Sequence, residues 1–317
     1  MAVQCLDKYT NLLIVCNKKQ EAASLFDALT NSDIRTFHLS AGMCMAHRQE
    51  TLSALTQALS NHEPLICVST QLIEAGVDIS FDAAIRILAG LDNAVQTGGR
   101  INRHGESPEP QPLFLCRLKG ENLAHLPDIR IAQNVLTELL VKYRTKPEQF
   151  DNDLASDAAI RAYYTNLYND ITKEQGQSAQ DYPIKQFRLF DLLSVNTKLK
   201  GDPARYYLNQ AFRTAGEWFE VFDQANESVL IPYQAGKEII AQLTNAHPQY
   251  DFTLIDHLLA QAKPYTVSLP TEQIQRMIKK GMIYTLLDGN LYVLTEQYYD
   301  HHIGIKEGND SCNTLIL

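Results

Sequence analysis

The sequence of 317 residues lacks several motifs that would identify a self-sufficient enzyme. It contains no G-x-x-x-x-G-K-[ST] segment, the glycine-rich loop that cradles nucleotide phosphates, and no D-E-x-D/H box for Mg²⁺. Its six cysteines form no C-x-x-C pair, and no histidine–aspartate cluster of the kind that holds metal ions occurs. The adjacent His301 and His302 would point different ways on a helix or strand. The sequence therefore predicts no metal site and excludes a complete P-loop NTPase.

Long apolar runs are also missing. No stretch approaches the roughly 20 apolar residues of a membrane helix. The first residues, MAVQCLDKYTNLLIV, have no basic region followed by an apolar region and a cleavage site, so we expect no secretory signal. Cys16 and Cys67 lie inside apolar runs, which is typical of buried, reduced thiols in a cytosolic protein. The sequence predicts a cytoplasmic protein that does not enter membranes.

Positive charge is in short supply. The chain has 28 Lys and Arg residues against 37 Asp and Glu residues, and its formal net charge is −9. A protein that holds nucleic acid by counterion release alone is expected to be basic. Any contact with nucleic acid must therefore be local, through backbone N–H groups, hydroxyl groups and a few placed arginines.

The first part of the chain, to about Leu118, alternates short apolar runs with segments of helical spacing. Apolar strands separated by helices are typical of a parallel sheet that is covered on both faces. The predicted strands are Asn11–Val15, Ile34–Leu39, Leu65–Val68, Ala83–Leu88 and Leu113–Arg117, and the predicted helices are Lys19–Leu29, Met45–Leu59 and Ala94–Asn102.

After Gly120 the pattern changes to longer helices and then to mixed elements. Three parts follow: a parallel-sheet domain at 1–118, a helical linker region at 119–211 and a small α+β domain at 212–317. The predicted elements are helices at Ile129–Tyr143 and Ala155–Tyr168, a hairpin of Trp218–Asp223 and Ser228–Tyr233, helices at Gly236–Leu243, Phe252–Ala262 and Thr271–Lys279, and a last hairpin of Met282–Leu287 and Leu291–Leu294.

The segment QTGGRINRHGE contains a Q-x-x-G-R-x-x-R pattern formed by Gln96, Gly99, Arg100 and Arg103. On a helix Gln96, Arg100 and Arg103 would share one face. The planar, permanently charged fork of arginine suits phosphate, and above all a phosphate undergoing transfer. An exposed basic helix end is the alternative interpretation of the same residues.

A second segment, VSTQLIEAGVDISFD, follows an apolar strand and places polar residues at its carboxyl end. That edge is where open α/β sheets bind ligands. Ser69 and Thr70 offer hydroxyl and N–H groups to a phosphate, and Gly76 allows the backbone to approach a ligand closely. Asp78 can accept a hydrogen bond from a ribose hydroxyl or hold an arginine. A plain strand–loop–helix with a Ser/Thr cap is the alternative.

The order of these segments resembles the second RecA-like domain of superfamily 2 helicases. The segment Ser69–Asp78 looks like motif V and Gln96–Arg103 looks like motif VI, while NLLIVCN and HLSAGM resemble motifs IV and IVa. Many relatives have Q-R-x-G-R in motif VI, and Thr97 stands here in place of the first arginine.

The segments HLSAGMCMAHR, STQLIEAGVDISFD and GGRINRHGE together resemble the CRISPR-associated helicase–nuclease that Cascade recruits in type I systems, most of all in subtype I-C. KPYTVSL and LTEQYYDHHIG resemble the C-terminal accessory domain of that family. The resemblance implies ATP as cofactor, with Mg²⁺ held by the missing N-terminal half. It also implies 3′-to-5′ translocation on single-stranded DNA, with that half and Cascade as partners.

The resemblance further implies roles for single residues. Catalytic roles fall to Gln96, Arg100 and Arg103, with Arg103 as the arginine finger. The nucleotide-binding residues would be Gly76, Asp78 and Gly99, and the residues along the DNA backbone would be His38, Ser40, Ser69 and Thr70.

Two kinds of function remain open on the sequence. The chain is either the C-terminal half of an ATP-dependent helicase, inactive by itself, or a non-catalytic module that binds DNA, Cascade or the partner half. The C-terminal half of another superfamily 2 helicase is a third possibility, favoured if residues 212–317 adopt a different fold.

Overall fold

The computed structural model describes residues 2–30, 34–74, 77–175, 183–184, 187–194, 210–219, 226–246 and 251–306. The chain divides into two compact units. The first contains Met1–Leu88, Asp92–Lys119 and Gln224–Leu317, and the second contains Ala89–Leu91 and Gly120–Asp223. None of the helices in the described ranges is both long enough and apolar enough to cross a bilayer.

The first unit contains a five-stranded sheet in the order β2-β3-β1-β4-β5, in which all neighbouring strands are parallel. Parallel strands need crossover connections, and helices supply most of them here. The strands are β1 (Asn11–Val15), β2 (Arg35–Leu39), β3 (Leu65–Ser69), β4 (Ala83–Ile87) and β5 (Leu113–Cys116), and the helices are α1 (Ala2–Cys5), α2 (Lys19–Thr30), α3 (Met45–Ser60) and α4 (Leu91–Gly98).

Two apolar clusters, one on each face of this sheet, explain why its strands are apolar throughout. Leu13 and Val15 of β1 pack in the cluster that contains Leu55 of α3. Leu12 and Ile14, the alternate residues of the same strand, pack in the cluster that contains Phe26 of α2. Alternate residues of a strand point to opposite faces, so a run buried on both faces must be apolar at every position. The predicted parallel sheet with helices on both faces is confirmed.

The second unit is built around two long helices, α5 (Pro127–Thr145) and α6 (Asp157–Gln175). Val135 and Leu139 of α5 and Tyr163 of α6 are among its buried residues. Short elements follow: β6 (Pro183–Ile184), β7 (Phe187–Arg188), α7 (Leu189–Leu193) and α8 (Phe212–Trp218).

The prediction of a strand beginning at Trp218 is wrong. Trp218 is the last residue of α8, and residues 220–225 lie outside the described part of the chain. The other half of the predicted hairpin is a strand, but it pairs with later segments of the chain instead. Aromatic and β-branched residues favour strands only where a pleated neighbour receives them.

The remainder of the first unit, which we call the C-terminal module, comprises residues 226–306 and contains a mixed four-stranded sheet in the order β10-β11-β8-β9. Strand β8 pairs antiparallel with β9 and parallel with β11, while β10 and β11 form the predicted last hairpin. The elements are β8 (Asn226–Leu230), α9 (Ala235–Ala246), α10 (Phe252–Ala262), β9 (Thr266–Pro270), α11 (Thr271–Lys279), β10 (Ile283–Leu286), β11 (Leu291–Leu294), β12 (Tyr299–Asp300) and β13 (Gly304–Ile305). This mixed sheet with its helices confirms a small α+β part.

The C-terminal module packs directly on the start of α3. Gly42 and Gly304 bring two backbones into contact, and the N–H of Ile305 donates to the carbonyl oxygen of Gly42 at 3.0 Å. The hydroxyl of Tyr299 accepts from the N–H of Cys44 at 3.2 Å and lies 2.8 Å from His47 Nδ1. The chain from Gly42 to His47, which directly follows the predicted DNA-facing residues His38 and Ser40, thus contacts the C-terminal module.

Candidate functional site

The QTGGRINR segment does not form one continuous helix. Helix α4 ends at Gly98, and Asn102 has a left-handed backbone with φ of 46°. Ile101 forms a bridge with Phe81 in place of a further helical turn. The prediction that Gln96, Arg100 and Arg103 share a helical face is therefore wrong: Gln96 lies on the exposed side of α4, and the arginines lie in the turn after it.

Arg100 is buried and faces the loop that follows β3. Its Nη1 donates to the carbonyl oxygen of Val77 at 2.6 Å, and its Nη2 donates to that of Glu74 at 2.7 Å. Burial lowers the pKa of Arg100, with the charge of Arg103 acting in the same direction. Arg100 thus clamps the motif V loop by its main chain, and in this arrangement its guanidinium is not presented to a ligand.

Arg103 is the arginine that remains accessible. Its Nε donates to Asp78 Oδ1 at 2.8 Å, with side chains that are 40% and 73% exposed. Its Nη1 also donates to the carbonyl oxygen of Gly99 at 3.1 Å, and its N–H donates to Ser80 Oγ at 2.9 Å. The hydrogen bond from Arg103 lowers the pKa of Asp78. Of the two possibilities for Asp78, the structure shows the one in which it holds an arginine.

The two glycines predicted to bind nucleotide have different outcomes. Gly99 occupies the exposed turn after α4, and its N–H donates to the carbonyl oxygen of Val95 at 2.9 Å. Gly76 lies outside the described residues. The nucleotide-binding roles of Gly76, Asp78 and Gly99 stay predictions.

Three of the four residues expected along a DNA backbone have buried side chains. His38, Ser40 and Ser69 are each at most 2% exposed, whereas Thr70 is half-buried. Ser69 Oγ donates to the carbonyl oxygen of Leu39 at 2.9 Å, and Ser40 Oγ accepts from the N–H of Gly42 at 3.3 Å. Burial, and next the charge of His47, lower the pKa of His38 to about 4. Of these four side chains only that of Thr70 is partly accessible, and the DNA-binding roles of all four stay predictions.

Two charged residues that the sequence did not single out lie behind this edge. Arg86 on β4 is completely buried, and its Nε lies 3.0 Å from Glu74 Oε1. Glu74 is the last residue of a 3-10 turn, Gln71–Glu74, that follows β3. Arg86 is the only charged residue in the apolar run AAIRI, and a charge in such a run requires a buried partner. This pattern could have identified Arg86 from the sequence.

The described residues include no group of three or more His, Cys, Asp or Glu side chains placed to hold a metal ion. Beside the accessible pair of Arg103 and Asp78 lie two more exposed ionisable side chains, His104, whose Nε2 is 3.8 Å from Asp78 Oδ1, and Glu106, whose Oε2 accepts from Ser80 Oγ at 3.1 Å. An exposed guanidinium such as that of Arg103 can bind an anionic group.

Comparison with known proteins gives a match over the same region. Residues 8–106 match the family model described as "CRISPR-associated nuclease/helicase Cas3, C-terminal". This match covers β1 to the arginine turn, and it supports a Cas3-like C-terminal domain in this part of the chain.

Two curated relatives bear the name "CRISPR-associated nuclease/helicase Cas3". The protein from Haloferax volcanii is 50% identical over 152 aligned residues, which cover 40% of this chain and 15% of the relative. The protein from Methanothermobacter thermautotrophicus is 30% identical over 97 residues, which cover 31% of this chain and 12% of the relative. The matched part thus spans less than a fifth of either relative.

A solved structure shows the fold over most of the chain. The crystal structure of "T. fusca Cas3-ATP" superimposes with a TM-score of 0.54 at 15% identity, covering 92% of this chain and 36% of that one. At this identity the likeness concerns the fold alone. It confirms the prediction of a RecA-like sheet followed by a small mixed-sheet part.

Proposed function

We propose that this chain acts as the C-terminal half of an ATP-dependent superfamily 2 DNA helicase in CRISPR type I antiviral interference. The observation that carries the proposal is Arg103, an accessible arginine that pairs with Asp78 in the loop between β3 and β4 of a RecA-like sheet, in a sequence that has no P-loop. A guanidinium so placed serves a phosphate that another domain holds. The similarity of residues 8–106 to the C-terminal part of Cas3 supports the biological setting.

In this proposal Arg103 is the arginine finger that stabilises charge on the γ-phosphate during transfer. Asp78 holds Arg103 until nucleotide arrives, and Gln96, exposed on the preceding helix, orients nucleotide or water. The missing N-terminal half supplies the phosphate cradle and Mg²⁺, so the chain alone does not hydrolyse ATP. Arg100 contributes by fixing the motif V loop, since its guanidinium is occupied by main-chain oxygens.

The remaining parts of the proposal concern partners. Single-stranded DNA passes along the motif V edge near Thr70, and the motor moves 3′-to-5′ as its two halves close and open around ATP. Cascade recruits the assembled protein in the cytoplasm, in a system like subtype I-C. The relatives' printed name, nuclease/helicase, supports a role in such a machine.

A second candidate is a non-catalytic module that binds DNA, Cascade or the partner half. The burial of Arg100, which leaves one accessible arginine where two were expected, favours this candidate.

The deciding measurement is ATP hydrolysis stimulated by single-stranded DNA, with the chain alone and with the matching N-terminal half added. We expect hydrolysis only in the mixture, and a loss in Arg103→Ala on the order of 10³-fold, typical of an arginine finger. Arg276→Ala, an exposed arginine on α11, is the matched control and should keep full activity. Absence of hydrolysis in a mixture whose halves demonstrably associate would leave the non-catalytic module.

A further inference from the structure

The carboxylate of Glu74 joins three elements of the RecA-like sheet. Its Oε1 lies 3.0 Å from Arg86 Nε of β4 and accepts from Thr97 Oγ1 of α4 at 3.1 Å. Its Oε2 accepts from Asn93 Nδ2 of α4 at 3.4 Å. Because Glu74 itself ends the turn after β3, one side chain ties the motif V turn to β4 and to α4.

The guanidinium of Arg86 extends the same network to β1. Its Nη1 donates to Asn17 Oδ1 at 2.7 Å and to the carbonyl oxygens of Ile87 at 2.8 Å and Val15 at 3.3 Å. Asn17 Nδ2 in turn donates to the carbonyl oxygen of Leu88 at 3.0 Å. The carboxyl ends of β1, β3 and β4 are thus held by a single buried ion pair and its hydrogen bonds.

Stability alone does not explain such a pair. Both side chains are almost completely buried, and removing two charges from water costs more than their attraction commonly returns. Burial raises the pKa of Glu74 even though Arg86 lowers it, and burial lowers the pKa of Arg86 even though Glu74 raises it. Arg86 Nη2 and Arg86 Nε are buried and make no hydrogen bond of good geometry within the described residues, so the 3.0 Å contact of Nε with Glu74 Oε1 is an ion pair. An apolar pair of similar volume would fill this space at a lower desolvation cost, so the pair is better explained by the geometry that it imposes.

A series of hydrogen bonds connects Glu74 to Arg103. The main-chain oxygen of Glu74 accepts from Arg100 Nη2 at 2.7 Å, so the position of Glu74 sets that of Arg100. The carbonyl oxygen of Arg100 accepts from the N–H of Phe81 at 2.9 Å, and the N–H of Arg103 donates to Ser80 Oγ at 2.9 Å. The turn from Arg100 to Arg103 is therefore fixed at both ends. Glu74 and Phe81 bond Arg100, and Ser80 bonds Arg103.

We propose that Glu74 and Arg86 are positioning residues for Arg103, and that Arg86 supplies from β4 the guanidinium that Thr97 does not carry. Arg86 Nε and Thr97 Oγ1 contact the same oxygen, Glu74 Oε1, so an arginine at position 97 would compete for that site. One guanidinium fills it, and in this chain it comes from the strand. The kinetic part of this inference rests on the proposed helicase function, whereas the structural part does not.

The test uses a double variant, Glu74→Gln/Arg86→Met, which removes both charges together and leaves no uncompensated buried charge. In the chain alone, we expect amide hydrogen exchange in residues 96–104 to rise by about tenfold while strands β1 and β3 keep their protection. In the mixture with the N-terminal half, we expect kcat to fall by about a hundredfold with little change in the KM for ATP, because Arg103 is displaced and ground-state binding is not.

A relocation variant, Arg86→Ser/Thr97→Arg, keeps one guanidinium but moves it to α4. The space that the Arg86 side chain leaves can receive the new side chain, so we expect wild-type exchange and kcat to return. Glu63→Gln is the matched control, because Glu63 pairs with Arg35 in an ion pair whose side chains are partly exposed, away from this network. Exchange and kcat should stay at wild-type values in that control.

The two variants test separately the positioning role of Glu74 and Arg86 and the replacement of an arginine at position 97. Wild-type exchange and kcat in the double variant would overturn the positioning role. Loss in the double variant without recovery in the relocation variant would overturn the claim that Arg86 replaces an arginine at position 97. Absence of ATP hydrolysis in the wild-type mixture would count against the proposed function, while exchange in the chain alone would still decide the structural inference.

Discussion

At the scale of single residues, burial separates the polar groups that can meet a ligand from those that hold the sheet together. Arg103 and Thr70 reach the surface, whereas Arg100, Ser69 and His38 bond or pack inside. Polar residues that directly follow a predicted parallel strand are expected at the edge of the sheet where ligands bind. The sequence does not say which of them turn inward, because hydroxyl and imidazole groups suit both environments.

The buried His38 makes stability depend on pH. Its pKa falls from 6.5 to about 4, chiefly through burial, with the charge of Asp300 opposing the shift. As the pH falls through about 6.5, His38 therefore binds a proton in the unfolded chain but stays neutral in the folded protein. Stability from this group is complete above about pH 6.5 and decreases by about 3 kcal/mol as the pH falls to about 4. His47, whose pKa burial also lowers, adds to the loss.

Urea denaturation between pH 7 and pH 4 measures this dependence. We expect a flatter curve for His38→Gln than for the wild-type protein. His62→Asn is the control, since His62 is exposed and its left-handed backbone, with φ of 52°, is one that asparagine tolerates. Equal slopes in His38→Gln and the wild-type protein would contradict the assignment of the pH dependence to His38.

At the scale of elements, the strands were the easiest part to predict. All five strands of the parallel sheet lie within two residues of their predicted bounds, because burial on both faces makes each one apolar throughout. Helix α4 was harder. Its apolar spacing suggested continuation to Asn102, but the helix ends at Gly98, and Asn102 adopts the left-handed conformation with φ of 46°.

The ion pair of Glu74 and Arg86 shows the limit of pattern-based prediction. A single arginine in AAIRI predicts a buried partner, but nothing in the sequence identifies Glu74 as that partner. Their meeting depends on the strand order β3-β1-β4, which places the ends of non-neighbouring strands at one edge. That order comes from tertiary packing.

Gly304, where the C-terminal module contacts Gly42, is expected to be intolerant of added atoms. A Cβ at Gly304 would lie 2.4 Å from the carbonyl oxygen of Gly42 and 2.9 Å from the nitrogen of Met43, and Gly304 has φ of +83°. We expect Gly304→Ala to lower the free energy of unfolding by about 3 kcal/mol, from backbone strain plus the clash.

Gly289→Ala is the matched control for this prediction. Gly289 has φ of +90° but no atom within 4 Å of a built Cβ, so it carries the strain without the clash. We expect a loss of only about 1 kcal/mol there. Urea denaturation of both variants isolates the contribution of the contact, and equal losses would contradict a tight backbone contact.

At the scale of the whole molecule, an acidic chain limits what nucleic-acid binding can look like. With a net charge of −9, this chain should hold single-stranded DNA through only a few phosphates. Counterion release then gives a shallow salt dependence, with log K falling by about 1 to 2 per decade of salt, at roughly 0.7 per phosphate neutralised.

Fluorescence anisotropy with labelled oligothymidine, measured across a range of salt concentrations, provides the slope. A slope steeper than about −5 would contradict local contacts and indicate an extended basic groove. Thr70→Val removes the one half-buried hydroxyl of the predicted DNA-facing set, so we expect it to weaken binding without changing the slope, since a hydroxyl releases no counterion.

The meeting of Gly42 and Gly304 has a consequence for how the gene can vary. The contact is made by main-chain atoms on both sides, so no exchange of one side chain for another can improve it or compensate for its loss. In a saturation library scored for folded protein, the codon for Gly304 should reject every replacement, including the smallest, whereas the codon for Gly42 should accept alanine, because a Cβ there would lie no closer than 3.4 Å to its neighbours. An intolerant glycine codon in the C-terminal module would then mark, from genetic data alone, the place where that module meets the RecA-like sheet.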